Sequence, residues 1–168
     1  SRVGGGTAIQ LLKLDDDWDY FSARLEFDQL DLVTTTPVAV EYDTLDDTAS
    51  LGTAFSFAEP GTDITLNESG LYLVFANTGM EKPNTGNIRT VYQQYLTLDG
   101  VEVPGSKTTT QVRGNANGEQ AYRGVTSLGT ILSATAGQVL NVEMVLEPTG
   151  QNGTIKGVSD GFGGFPGG

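Results

Sequence analysis

The sequence predicts an all-β chain, and three observations carry that expectation. Short runs alternate between apolar and polar residues, as in YFSARLEFD, where Phe21, Ala23, Leu25 and Phe27 fall on one side and Ser22, Arg24, Glu26 and Asp28 on the other. A period of two is the signature of a half-buried strand. Glycine is abundant, at 23 of 168 residues, and threonine recurs in runs at 34–36 and 108–110, a mixture that suits strands and tight turns over helices. No stretch of useful length carries the apolar spacing of an amphipathic helix. Together these point to an antiparallel sandwich or barrel of roughly ten short strands.

Taken in order, SRVGGG reads as a flexible tether, and TAIQLLKL (7–14) as a strand buried on both faces rather than a turn and a half of helix. The alternating 20–28 run follows, then the short pieces PVAVEYD and TAFSF. DITLNESGLYLVFAN gives a strand, a turn at Glu68–Gly70 and a second strand that is apolar on both faces. In VYQQYLTLDGVEVPG, Asp99–Gly100 separates two alternating runs, and Asp-Gly suits a two-residue type I′ hairpin turn. Two more strands flank Ala136–Gln138, the second with Leu140, Val142, Met144 and Leu146 on one face. The chain ends in SDGFGGFPGG. Ordering ten such residues costs on the order of 10 kcal/mol, whereas burying Phe162 and Phe165 returns about 1.5–3 kcal/mol each. A fixed tail therefore needs main-chain hydrogen bonds to something larger.

Residues about 37–147 resemble the jelly-roll domain of the complement globular-head and tumour necrosis factor superfamily. ITLNESGLYLVFAN looks like that family's strand, turn and Gly-Leu-Tyr-Leu-type strand, YLTLDGVEV like its strand running into an Asn/Asp-Gly turn, and GTILSATAGQVLNVEM like its penultimate pair. SDGFGGF is faintly similar to its closing Phe-x-Gly-Phe strand. The chain departs from the pattern in the 36 residues ahead of the domain and in the trailing PGG. The resemblance implies an antiparallel jelly-roll sandwich, here with an N-terminal strand extension, and a secreted homotrimer that binds ligands or receptors. It divides the chain into an arm and leading strand (1–36), the jelly-roll domain (37–158) and a Gly/Phe-rich tail (159–168).

Composition excludes several functions. The net charge of −12 argues against nucleic acid or an anionic membrane as a partner, and no stretch approaches the ~20 apolar residues of a membrane-spanning helix. The charge is uneven: residues 1–66 hold 13 acids and 3 bases, residues 67–168 hold 8 and 6. With neither histidine nor cysteine, a nucleophilic triad lacks its base, and the sequence cannot nominate a glycosidase pair among 21 acids. The glycines of 157–168 fit no phosphate-loop template. LDDDWDYFSARLE places Asp15, Asp17, Asp19 and Glu26 at calcium-loop spacing, but Tyr20 stands where the loop needs glycine, so a solvated acidic loop is the better reading. No enzyme, metal or cofactor is expected. Asn67 (NES) and Asn152 (NGT) are candidate glycan acceptors.

What remains is assembly. A glycine-tethered apolar strand, with Ala8, Ile9, Leu11, Leu12 and Leu14, either folds into its own sandwich or completes the sheet of a neighbouring copy. The second choice is head-to-tail and generates a ring or an open filament. The leading expectation is an extracellular homopolymeric fibril subunit that donates residues 7–14, with Phe162 and Phe165 as plugs. The alternative is a trimeric recognition head, on a cell-surface adhesin or a virion, with ligand contacts in loops such as Glu81–Asn87 or Arg113–Glu119. Either way the partner is a copy of the chain itself.

Overall fold

The computed structural model describes residues 6–15, 18–46, 51–83, 88–113 and 123–157. Phe162, Phe165 and the rest of the predicted tail lie outside the described residues, as do most of the two loops named above. The strands are β1 (Ala8–Lys13), β2 (Tyr20–Arg24), β3 (Leu32–Val33), β4 (Val38–Ala39), β5 (Thr44–Leu45), β6 (Phe55–Ser56), β7 (Ile64–Leu66), β8 (Gly70–Glu81), β9 (Arg89–Leu98), β10 (Val101–Glu102), β11 (Thr108–Arg113), β12 (Arg123–Ala134), β13 (Gln138–Leu146) and β14 (Gly153–Ile155). They form two antiparallel sheets of seven strands, so the all-β jelly-roll sandwich read from the sequence is the architecture found.

The front sheet is built around β8. One side of β8 pairs with β12 along its whole length, from Arg123 opposite Glu81 to Ala134 opposite Gly70. The other side is shared: β1 covers Tyr72 to Asn77, and β14 covers Met80 and Glu81. β2 and β5 extend the sheet beyond β1, and β3 caps β14. In the back sheet β9 and β13 are neighbours, β10 and β11 lie beyond β9, and β4, β7 and β6 lie beyond β13. The turns after β7 and after β12 each carry the chain from one sheet to the other.

Local chemistry accounts for most of these elements. Asp99 and Gly100 both have positive φ, 49° and 80°, as the type I′ turn between β9 and β10 requires. Leu140, Val142, Met144 and Leu146 on β13 are all buried, facing Tyr72, Val74 and Ala76 from β8 and Ile9 and Leu11 from β1 within one continuous core. Phe21, Phe55 and Tyr72 meet edge-on or tilted, with ring centroids 5.7–5.8 Å apart, a favoured aromatic geometry.

The predicted 20–28 strand stops short. Phe21, Ala23 and Leu25 are buried as expected, but Phe27 is 69% exposed. β2 ends at Arg24 because the Asp43 carboxylate accepts hydrogen bonds from the Glu26 and Phe27 amides, at 2.7 and 3.0 Å, and a backbone bonded to a side chain has left the ladder.

Residues 8–13 form a strand, and in the single chain it lies inside the front sheet between β2 and β8. Thr7 fixes its start. Its buried hydroxyl donates to the Lys156 carbonyl at 2.9 Å and accepts from the Gly79 amide at 3.1 Å, which joins the beginning of β1 to the end of β14 along one edge of β8.

Candidate functional site: the outer face of the front sheet

Alternation decides what β1 and β8 present on each side. On β1, Ile9, Leu11 and Lys13 point inward and are buried, while Ala8, Gln10 and Leu12 look outward. Lys13 survives in the interior because its amine pairs with Asp15 at 2.9 Å and lies 5.6 Å from the centre of the Tyr72 ring. The hydrogen bond it donates to Asp15 and the charge of that carboxylate hold its pKa above the ordinary value despite desolvation. On β8, Tyr72, Val74 and Ala76 point inward, and Leu71, Leu73 and Phe75 point outward.

Register then assembles the outward residues into rows. Leu73 stands opposite Leu12 on one side and Ile131 on the other, and Leu12 opposite Tyr20, so four strands contribute one apolar line. The next row pairs Phe75 with Gln10 and Gly129. A Cβ on Gly129 would lie 2.9 Å from the Phe75 ring, too close for real atoms, so glycine there lets the ring lie across β12. Leu14 donates its amide to the Leu71 carbonyl at 2.9 Å and extends the apolar surface past the end of β1. Phe75 and Ile131 are 50% and 58% exposed.

Among the described residues β1, β2, β8 and β12 themselves place no acid on this face between the Leu71 and Asn77 rows, and Asp46, which accepts from Ser22 Oγ at the β2 end of the Phe75 row, forms its lateral margin. Ion pairs gather at one end. There Arg24 is held by Glu26, at 3.0 Å, and by Asp46, which keep its pKa above the ordinary value despite desolvation, and Arg123 pairs with Glu81 at 2.5 Å. An apolar centre with a charged margin is the anatomy of a protein–protein contact, and contiguous exposed apolar surface of this kind marks interaction sites.

The structure divides the residues singled out for assembly. Ile9 and Leu11 are committed to the chain's own core, Ala8, Leu12 and Leu14 belong to the outer face, and Phe162 and Phe165 lie outside the described residues. Sequence reasoning missed Leu71, Leu73, Phe75 and Ile131. The signal was present in LYLVF, a run without alternation: in a two-sheet sandwich one side of every strand looks outward, so a strand apolar on both sides puts one of them on the surface. Asn67 and Asn152 are both exposed, and Asn67 donates its side-chain amide to Ser56 Oγ at 2.8 Å. Asp15 and Asp19, of the acidic loop, serve the fold, Asp19 by accepting the Ala54 amide at 3.1 Å; Asp17 lies outside the described residues.

No family model matches the chain, and no curated protein does. Among solved structures, the crystal structure of murine APRIL at pH 5.0 aligns over 90% of this chain and 98% of that chain, at 9% identity and a TM-score of 0.39. An overlap of that degree gives no residue of this chain a role.

Proposed function

We propose that the chain is a homo-oligomeric recognition head, displayed outside the cell, whose copies meet through the outer face of the front sheet. The observation that carries this reading is the apolar surface built from Tyr20, Leu12, Leu73, Ile131, Phe75 and Leu71, with acids only at its margins among the described residues. A second copy is its natural occupant. Each chain bears a charge of −12 and repels its own kind over the acidic surface, so close approach needs a face free of acids. The family resemblance favours three copies, closed around an axis, with the loops at the ends of the sandwich left for a ligand.

Fibril formation by donation of residues 7–14 is the second reading. One observation favours it: β1 is held by main-chain pairing on both edges, so the slot between β2 and β8 suits the same strand from a neighbour. Donation must first withdraw Ile9 and Leu11 from the core, at about 1.5–3 kcal/mol each.

Light scattering on size-fractionated protein, with negative-stain microscopy of the same fractions, separates the two readings. The trimeric head gives particles of three times the 17.7 kDa chain mass, and Phe75→Glu reduces them to monomers. Filaments that survive Phe75→Glu would establish strand donation instead, and a monomeric wild-type chain would remove both.

A further inference from the structure

Lys82 follows directly on β8 and is only 1% exposed. Its amine donates to the Pro83 carbonyl at 2.6 Å, and among the described residues no carboxylate pairs with it. Its neighbour Glu81 is already engaged, 2.5 Å from Arg123 and 3.8 Å from Lys156. Lys156 in turn lies 2.6 Å from Asp28. Two carboxylates thus serve two other cations, and among the described residues Lys82, the most deeply buried of the three, is left without a counter-charge. Removing an ammonium from water without a partner costs several kcal/mol, and that desolvation pulls the Lys82 pKa below its usual value.

Beside Lys82 a cleft of about 640 Å³ opens where β3, β8 and β14 converge, a volume ordinary for a small-molecule site. Leu32 and Pro83 form apolar walls, and Asn152 and Thr154 add neutral polar groups. One buried ammonium matches a single negative charge. The apolar walls suit a carbon skeleton, the amide and hydroxyl suit a ligand's own hydroxyls, and Glu81 at the margin disfavours a doubly charged anion.

We propose that this cleft binds a small hydroxylated organic carboxylate, of the uronic acid type, with Lys82 as its counter-ion and Asn152 and Thr154 as partners for its hydroxyls. The site lies within one chain and meets the oligomeric face only at Glu81, in the charged margin of that face.

The test is an amide NMR titration of the full chain with sodium glucuronate, using glucose and sulfate as comparison probes. Glucuronate is expected to give saturable shifts at the amides of residues 81, 82 and 150–154 with a Kd of about 1 mM or tighter, at least ten times tighter than either comparison probe. Lys82→Met abolishes these shifts, whereas Lys107→Met, at an exposed lysine paired with Glu102, leaves them unchanged. Absence of saturable shifts with glucuronate, equal binding of glucose, tighter binding of sulfate, or undiminished binding by Lys82→Met would each overturn the proposal. The wild-type titration decides the matter if Lys82→Met fails to fold, because the glucose arm isolates the charge.

Discussion

The two sheets turn different surfaces to the outside. On the back sheet half-buried Val91, Val139 and Val145 are interleaved with polar residues that engage one another: Gln93 donates to Glu147 at 2.9 Å, Asn141 to Asp63 at 2.8 Å, and Lys107 pairs with Glu102 at 3.1 Å while lying 5.3 Å from the centre of the Tyr95 ring. On the front sheet the corresponding positions are Leu12, Leu73, Phe75 and Ile131, which no other element of the described chain covers. One face is finished by its own side chains and the other is finished only by a partner. Folding alone requires each sheet to be apolar on the inside; an apolar outside has to be explained by association.

The largest expected effect contrasts the two sides of one strand. Leu11→Ala, on the inner side of β1, lowers unfolding stability by about 3–4 kcal/mol, measured by denaturant titration of the isolated monomer. Leu12→Ala, one residue on, leaves monomer stability nearly unchanged and weakens only assembly. Equal losses from both would mean that the outer side of β1 is core after all.

Next comes a contrast between the two faces. Phe75→Glu costs assembly about 2–4 kcal/mol, the range of a central interface residue, and sedimentation equilibrium shows the mass fall to one chain. Tyr95→Glu, at a comparable outward position of the back sheet, leaves the mass unchanged. If both variants stay assembled, the front face is not the contact.

A smaller effect sets the interior against either surface. Tyr42 is fully buried, its hydroxyl has no hydrogen-bond partner among the described residues, and burial drives its pKa far up. An unpaired buried polar group is costly, so Tyr42→Phe raises stability by about 1 kcal/mol, seen as a higher melting temperature. A decrease would reveal a partner for that hydroxyl.

The smallest effect is a pH dependence confined to the back face. Burial raises the Glu143 pKa above its usual 4.5. The stabilisation carried by its protonated form is therefore fully present below 4.5 and is lost as pH rises through the raised folded value. Glu143→Gln keeps that stabilisation across the window, and melting curves at stepwise pH read the difference. Identical profiles for the two proteins would place Glu143 in water.

Much of this was legible in the residues. The Asp99–Gly100 turn, the inward faces of β2 and β13 and the turn before β8 follow from rules that act over a few neighbouring positions: period-two alternation, positive-φ turn chemistry and the spacing of glycine. The jelly-roll order came from the family resemblance. The early stop of β2 was hidden, because it depends on Asp43, a residue 16 positions from Phe27 that competes for the backbone.

The sequence by itself determined that the chain forms short antiparallel strands, which side of most strands is apolar, and that β1 and β8 have more apolar surface than one core can take. Only the tertiary structure decided where that excess goes. Register across β2, β1, β8 and β12 aligned Tyr20, Leu12, Leu73 and Ile131 into one row, and the ion pairs of Glu81 and Asp28 with Arg123 and Lys156 left Lys82 alone beside its cleft. The physical reason is range. Alternation and turn preference act between neighbours in the chain, whereas a shared face or a missing counter-charge depends on residues brought together from dozens of positions apart.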